Sequence, residues 1–139
     1  MIDVEADVFT YVAGKLRNEF PGISVKSEYT DTPAKFPAVT IVENDNRIFN
    51  RWRTAEKIEK AVSVMYEANV YSNKASDRKS EAKRVTDTMD EAFEELGFSR
   101  IMRNQIANLN DATIYRIVCR YEGLVIPNSS DGKYYIHTL

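Results

Sequence analysis

The sequence predicts an α+β fold, a mainly antiparallel sheet of four to six strands with two helices packed on one face. Three stretches carry that reading. Val62, Val64, Tyr66, Ala68 and Val70 alternate with Ser63, Met65, Glu67, Asn69 and Tyr71, the period of two that buries one face of a strand. Ala82, Val85, Met89, Ala92, Phe93 and Leu96 recur mostly at three- and four-residue steps, a stripe along one side of a helix. In ATIYRIVCRYEGLVI, Tyr115, Ile117, Cys119 and Tyr121 take one face of a second strong strand, and Arg116, Arg120 and Glu122 take the other beside Ile114 and Val118.

The remaining elements follow in order. From Asp3 to Phe20 the spacing of Val4, Val8, Tyr11, Val12 and Leu16 is helical, and Pro21-Gly22 ends the pattern. Ile23, Val25, Ser27 and Tyr29 then alternate with polar residues as a half-exposed strand near a sheet edge, and TDTPAK turns the chain. Pro37 pushes Phe36 out of the helical region, and AVTIVEN continues as a better-buried strand. These strands and the one at 62–71 are expected to pair antiparallel. Ser76 or Asp77 can cap the second helix at its N-terminus, and Gly97 can close its C-terminus in the left-handed conformation. Phe98 to Leu109 reads as a less regular strand around Ile101, Ile106 and Leu109. The second helix, as a crossover, can leave the strands on either side of it locally parallel.

Two segments resist this assignment. The stretch at about 45–58 has no clean period and holds Arg47, Phe49, Arg51, Trp52 and Arg53 between two strong strands. It reads as a long hairpin arm, a kind of loop that often binds a partner. The alternative is an extension of the flanking strands, with Phe49 and Trp52 packed on the sheet. The tail at about 127–139 opens with Pro, Asn and Ser and ends in Tyr134-Tyr135-Ile136, able to pair back as a hairpin strand or to dock on another subunit.

Composition sets the outer limits. With 139 residues the chain fits one domain, 1–139, and buries roughly two-thirds of its unfolded surface. A hydrophobic fraction of 43% and a charged fraction of 29% are those of a folded chain, and a net charge of −2 provides no global field toward nucleic acid or anionic lipid. MIDVEADVF has acidic residues where a signal peptide needs basic ones, and no long apolar run follows, so a cytoplasmic protein is expected. The single cysteine, Cys119, sits in an apolar strand as a small buried hydrophobe.

Catalytic chemistry has little purchase. His137 has no acid or nucleophile near it in sequence, and the chain contains no metal-ligand spacing of His and Cys, no phosphate-binding glycine loop and no GxSxG. Asp90/Glu91 and Glu94/Glu95 are read as solvating the outer face of the second helix, since adjacent helical residues point about 100° apart. Arginine and aromatic residues in the arm can pair phosphates and stack bases, but they are equally the residues of protein–protein hot spots. In an acidic chain the second use is favoured.

The segments YEANVYSNKASDRKSEAKRVTDTMDEAFEELGFSR and NLNDATIYRIVCRYEGLV resemble a family of small tailed-phage proteins, the tail terminator or tail-to-head joining proteins, which include minor capsid and tail completion proteins. The similarity spans about Phe36 to Val125. It rests on Phe36-Pro37, Asn69 to Asn73, Leu96-Gly97-Phe98 with Arg100, Asn108-Leu109, Thr113 to Arg116, and Arg120-Tyr121. The resemblance implies an α+β fold and a structural, non-enzymatic role in the virion, assembled in the bacterial host cytoplasm. It further implies a homo-oligomer, a six-membered ring on the head-proximal end of the tail tube. Its partners would be the major tail tube protein and a head-neck connector protein, with DNA only passing through the lumen. Neither a cofactor, a metal, a small-molecule substrate nor a membrane is implied.

Arg47, Phe49, Arg51, Trp52 and Arg53 in the arm, and Tyr134 and Tyr135 in the tail, are the candidate assembly contacts, chosen from loop length and composition. Two alternatives stay open: a head-completion or connector-stopper protein of the neck, and a small nucleic-acid-binding module.

Overall fold

The apolar alternation at 62–70 becomes a strand buried along most of its length, and the rest of the chain is laid against it. The computed structural model describes residues 1–49, 61–127 and 134–137, with only the backbone of Tyr135 and His137. The elements are α1 (Glu5–Glu19), β1 (Ser24–Lys26), β2 (Ala38–Ile48), β3 (Val62–Ser72), α2 (Arg78–Leu96), β4 (Ser99–Ala107), β5 (Tyr115–Pro127) and β6 (Tyr134–His137). They form an α+β fold: one sheet in the order β1-β2-β3-β5-β4, mostly antiparallel, with β6 also on β5.

Residues at two-residue steps along β3 and β5 meet in register, Val62 with Val125, Tyr66 with Tyr121, Ala68 with Cys119 and Val70 with Ile117. This face packs with Val8, Val12 and Leu16 of α1 and with Val85, Met89 and Phe93 of α2 in one core, so both helices lie on the same side of the sheet. Its centre is aromatic. Phe93 stacks on Tyr121 with ring centroids 4.1 Å apart, and Phe98 meets Tyr66 edge-on at 5.4 Å. Gly123 makes room for this cluster, because a Cβ there would stand 2.8 Å from the Phe98 ring.

Pairing differs from the expectation at two places. β1 pairs with β2 in parallel. The chain between them crosses back over the end of the sheet before β2 begins, where the Tyr71 hydroxyl donates to the Thr30 carbonyl and Asn108 Nδ2 donates to the Asp31 carbonyl at 3.1 Å. That crossing covers the second face of β3 at this end, so Tyr71 and Asn69 are buried where alternation alone placed them in solvent, and Ala38, Tyr71 and Ile114 form a small second core. β3 and β4 do run in the same direction, but β5 lies between them and is antiparallel to both.

The tail forms β6, a hairpin partner of β5, on the side of β5 that β4 occupies further along. At α2, Gly97 closes the C-terminus with φ +101° as expected, whereas no side chain caps the N-terminus. Asp77 occupies that position, and its carboxylate meets Arg84 at 3.2 Å and Lys74 at 3.7 Å instead.

Candidate interaction surface

Sheet register decides what the arm residues can do. A bulge between Glu43 and Asp45 shifts the phase of β2, so Asn46 faces the helices and donates to the Ile2 carbonyl at 3.0 Å, while Arg47 turns to the opposite face. There Arg47 lies 3.3 Å from Asp45 and 3.6 Å from Glu122. Phe49 continues the pairing, its N–H donating to the Ala61 carbonyl at 3.0 Å. The first part of the segment read as an arm is therefore an extension of β2. Arg51, Trp52 and Arg53 lie outside the described residues.

Tyr134, exposed, stands opposite Pro127 in β6, and Tyr135 opposite Ile126. Ile48, Val62, Val125 and Ile136 form one row across β2, β3, β5 and β6. Arg47, Phe49, Tyr134 and Tyr135 are thus at one end of the sheet, the two groups three strand spacings apart, about 14 Å. The structure gathers these candidates at an end, without direct contact between the two groups among the described side chains.

Along the face opposite the helices runs a ladder of polar pairs. Arg47 meets Glu122, Arg120 meets Glu67 at 3.8 Å, and Arg116 Nε donates to Asn69 Oδ1 at 2.8 Å. The two ion pairs, partly exposed, contribute little to stability each, about 0–1 kcal/mol, but they pattern the face in alternating charge.

Two groupings escaped the sequence reading. Glu43 shares the phase of Val39 and Ile41, so its carboxyl faces inward beside Tyr66, whose hydroxyl donates to it at 3.2 Å. Asp3 and Glu5 bring two more carboxylates, the oxygens of all three within 4.8 Å of one another. Burial, then the charge of Glu5, pushes the Glu43 carboxyl up to about 7, against the hydrogen bond from Tyr66. Such an all-oxygen set is of the kind that a hard divalent cation takes, and the raised Glu43 carboxyl, which takes up a proton more readily than an ordinary carboxylate, offers another way to relieve the repulsion. The signal was present in AVTIVEN, a carboxylate in phase with two apolar residues.

The second is Asp90. It does not simply solvate α2: it accepts from the Tyr121 hydroxyl at 3.0 Å and meets Arg100 at 3.4 Å. Cys119 is buried as expected, and burial raises its thiol above the ordinary value, which disfavours the nucleophilic thiolate.

No protein-family model matches the chain, and no curated protein emerges as a relative.

Proposed function

We propose that this protein is a structural subunit of a tailed-phage virion, the tail terminator. In this reading it forms a ring on the head-proximal end of the tail tube, stops tube polymerisation and offers a docking surface to the capsid neck. The observation that supports it is the convergence of the residues behind the resemblance. Asn69 in β3 holds Arg116 in β5, Arg100 in β4 stands opposite Tyr121 in β5, and Gly97 and Phe98 join α2 to that same sheet region. Segments far apart in sequence thus meet on the same three strands, Asn69 and Arg116 on the face opposite the helices and Arg100 and Tyr121 on the helix face. Arg47 and Phe49 at the end of β2, and β6 with Tyr134 and Tyr135 about three strand spacings away, supply separate groups at one sheet end, and a cyclic ring needs two different patches that meet between neighbours.

Deletion of the gene from its phage or prophage, followed by electron microscopy of the lysate, tests the role. Overlong tubes, or heads and tails left unjoined, are expected. Tails of normal length attached to heads would overturn the proposal, and finished tails beside heads that leak DNA would move the protein to the neck.

A further inference from the structure

The cleft in front of Arg116, on the sheet face opposite the helices, has the chemistry of a binding site, and we infer that it takes a carboxylate presented by a polypeptide. Arg116 is fixed from three sides. Its Nε donates to Asn69 Oδ1 at 2.8 Å, and its guanidinium carbon lies 5.5 Å from the ring centre of Tyr29 and 5.7 Å from that of Tyr71. Tyr71 is itself buried and tied to the Thr30 carbonyl, so the ring on that side cannot swing away.

These contacts orient the guanidinium without neutralising it. The other arginines of the described strands, Arg47, Arg100, Arg103 and Arg120, each meet a carboxylate within 3.8 Å. Arg116 meets none among the described residues. An arginine uses one donor on Asn69 and keeps four, arranged in the planar fork that matches a carboxylate in two parallel bonds. Held rigid and unpaired, it has already lost the rotamer freedom that binding otherwise costs.

The walls narrow the choice of ligand. The cleft is about 360 Å³ and is lined by Tyr29, Val42, Glu67, Asn69 and Arg116. Glu67 is engaged by Arg120 at 3.8 Å and by Asn44 Nδ2 at 3.4 Å, yet its charge still opposes a phosphate dianion more strongly than a group with one negative charge. Arg120 Nε, shielded from solvent, has no acceptor among the described residues, a second unmet donor on the same face. Tyr29 is 54% exposed and, with Val42, makes an apolar lip. A carboxylate next to an apolar side chain, as in an Asp or Glu within a polypeptide or at its C-terminus, satisfies both. Arg and Tyr at the centre of such a contact are the residue types that dominate binding energy. The inference stands apart from the virion role, since it concerns the ligand chemistry and not the assembly.

Titration of the ¹⁵N-labelled chain at constant ionic strength, following the Arg116 Nε–H and the amides of Val42, Asn69 and Val118, tests it with three probes: sodium acetate, N-acetyl-Asp-Phe-amide and sodium phosphate. Both carboxylates are expected to give saturable shifts, the dipeptide with about tenfold lower Kd, and phosphate none. In Arg116→Lys, which keeps the charge but loses the fork, dipeptide binding should weaken about tenfold. Tyr29→Ala, at an exposed lip that leaves the core intact, should remove the advantage of the dipeptide over acetate. Absence of saturable shifts up to about 100 mM, or a phosphate response equal to that of acetate, would overturn the carboxylate site. Equal affinity for acetate and dipeptide in the unmodified chain would overturn the polypeptide source.

Discussion

The Tyr121 hydroxyl donates to Asp90 Oδ1 at 3.0 Å, tying the middle of β5 to α2 at the edge of the aromatic cluster. Tyr121 is 1% exposed, so its hydroxyl has no water to fall back on. Asp90→Ala should destabilise by about 1–3 kcal/mol, the cost of a buried donor left without an acceptor. Tyr121→Phe removes donor and need together, and should cost less, about 0.5–1.5 kcal/mol. Urea denaturation of both variants checks the order; a larger loss in Tyr121→Phe would contradict it.

Glu43 gives the protein a pH dependence near neutrality. Its folded pKa, about 7, lies above the ordinary 4.5, so the folded chain holds a proton that the unfolded chain has released between those values. Stability from this group is therefore full below about pH 4.5 and is lost as pH rises through about 7. Glu43→Gln keeps an acceptor for Tyr66 without the charge beside Glu5 and Asp3. Thermal melts at pH 5 and pH 8 should show a smaller difference in this variant and a higher Tm than the unmodified chain at pH 8.

At Gly97 two demands coincide. The left-handed φ of +101° excludes most side chains, and an added Cβ would overlap the Ile136 carbonyl oxygen of β6. Gly97→Ala should cost at least about 1 kcal/mol from conformation alone, and should also push β6 off β5. Hydrogen exchange reads the second effect: amides of 134–137 should lose protection more than those of β3.

Cys119, fully buried and with its thiol raised by burial, should be silent toward an aromatic disulfide reagent in the folded chain. Labelling should rise with urea in step with unfolding. Rapid labelling without denaturant would show that β5 opens locally in the native state.

Periodicity made much of this fold legible, because it reports burial directly. The stripe from Ala82 to Leu96 and the alternation at 62–70 became α2 and β3 with the expected faces inward. Partner choice is not a local property, and that is where the reading departed from the structure. Nothing within residues 98–126 says that β5 will enter between β3 and β4, and nothing in ISVKSEYT says that the chain will cross over before β2 and pair in parallel. The same holds for the surface. Glu43 was visible as a carboxylate in an apolar phase, but the Arg116 cleft joins a β5 residue to Tyr29 of a distant turn, and only the assembled sheet brings them together.

The order of strands also sets a timetable for synthesis. β3 gains β2 as a neighbour through a hairpin, but its other edge waits for residues 115–127, made after α2 and β4. Until β5 leaves the ribosome, a nascent chain carries Val62, Val64 and Tyr66 on a strand with one open side, and β4 has no partner at all. Such edges invite pairing with other nascent copies. The vulnerable interval is short at ordinary elongation rates, a few seconds. It closes when β5 pairs with both β3 and β4, which run the same way in the folded sheet.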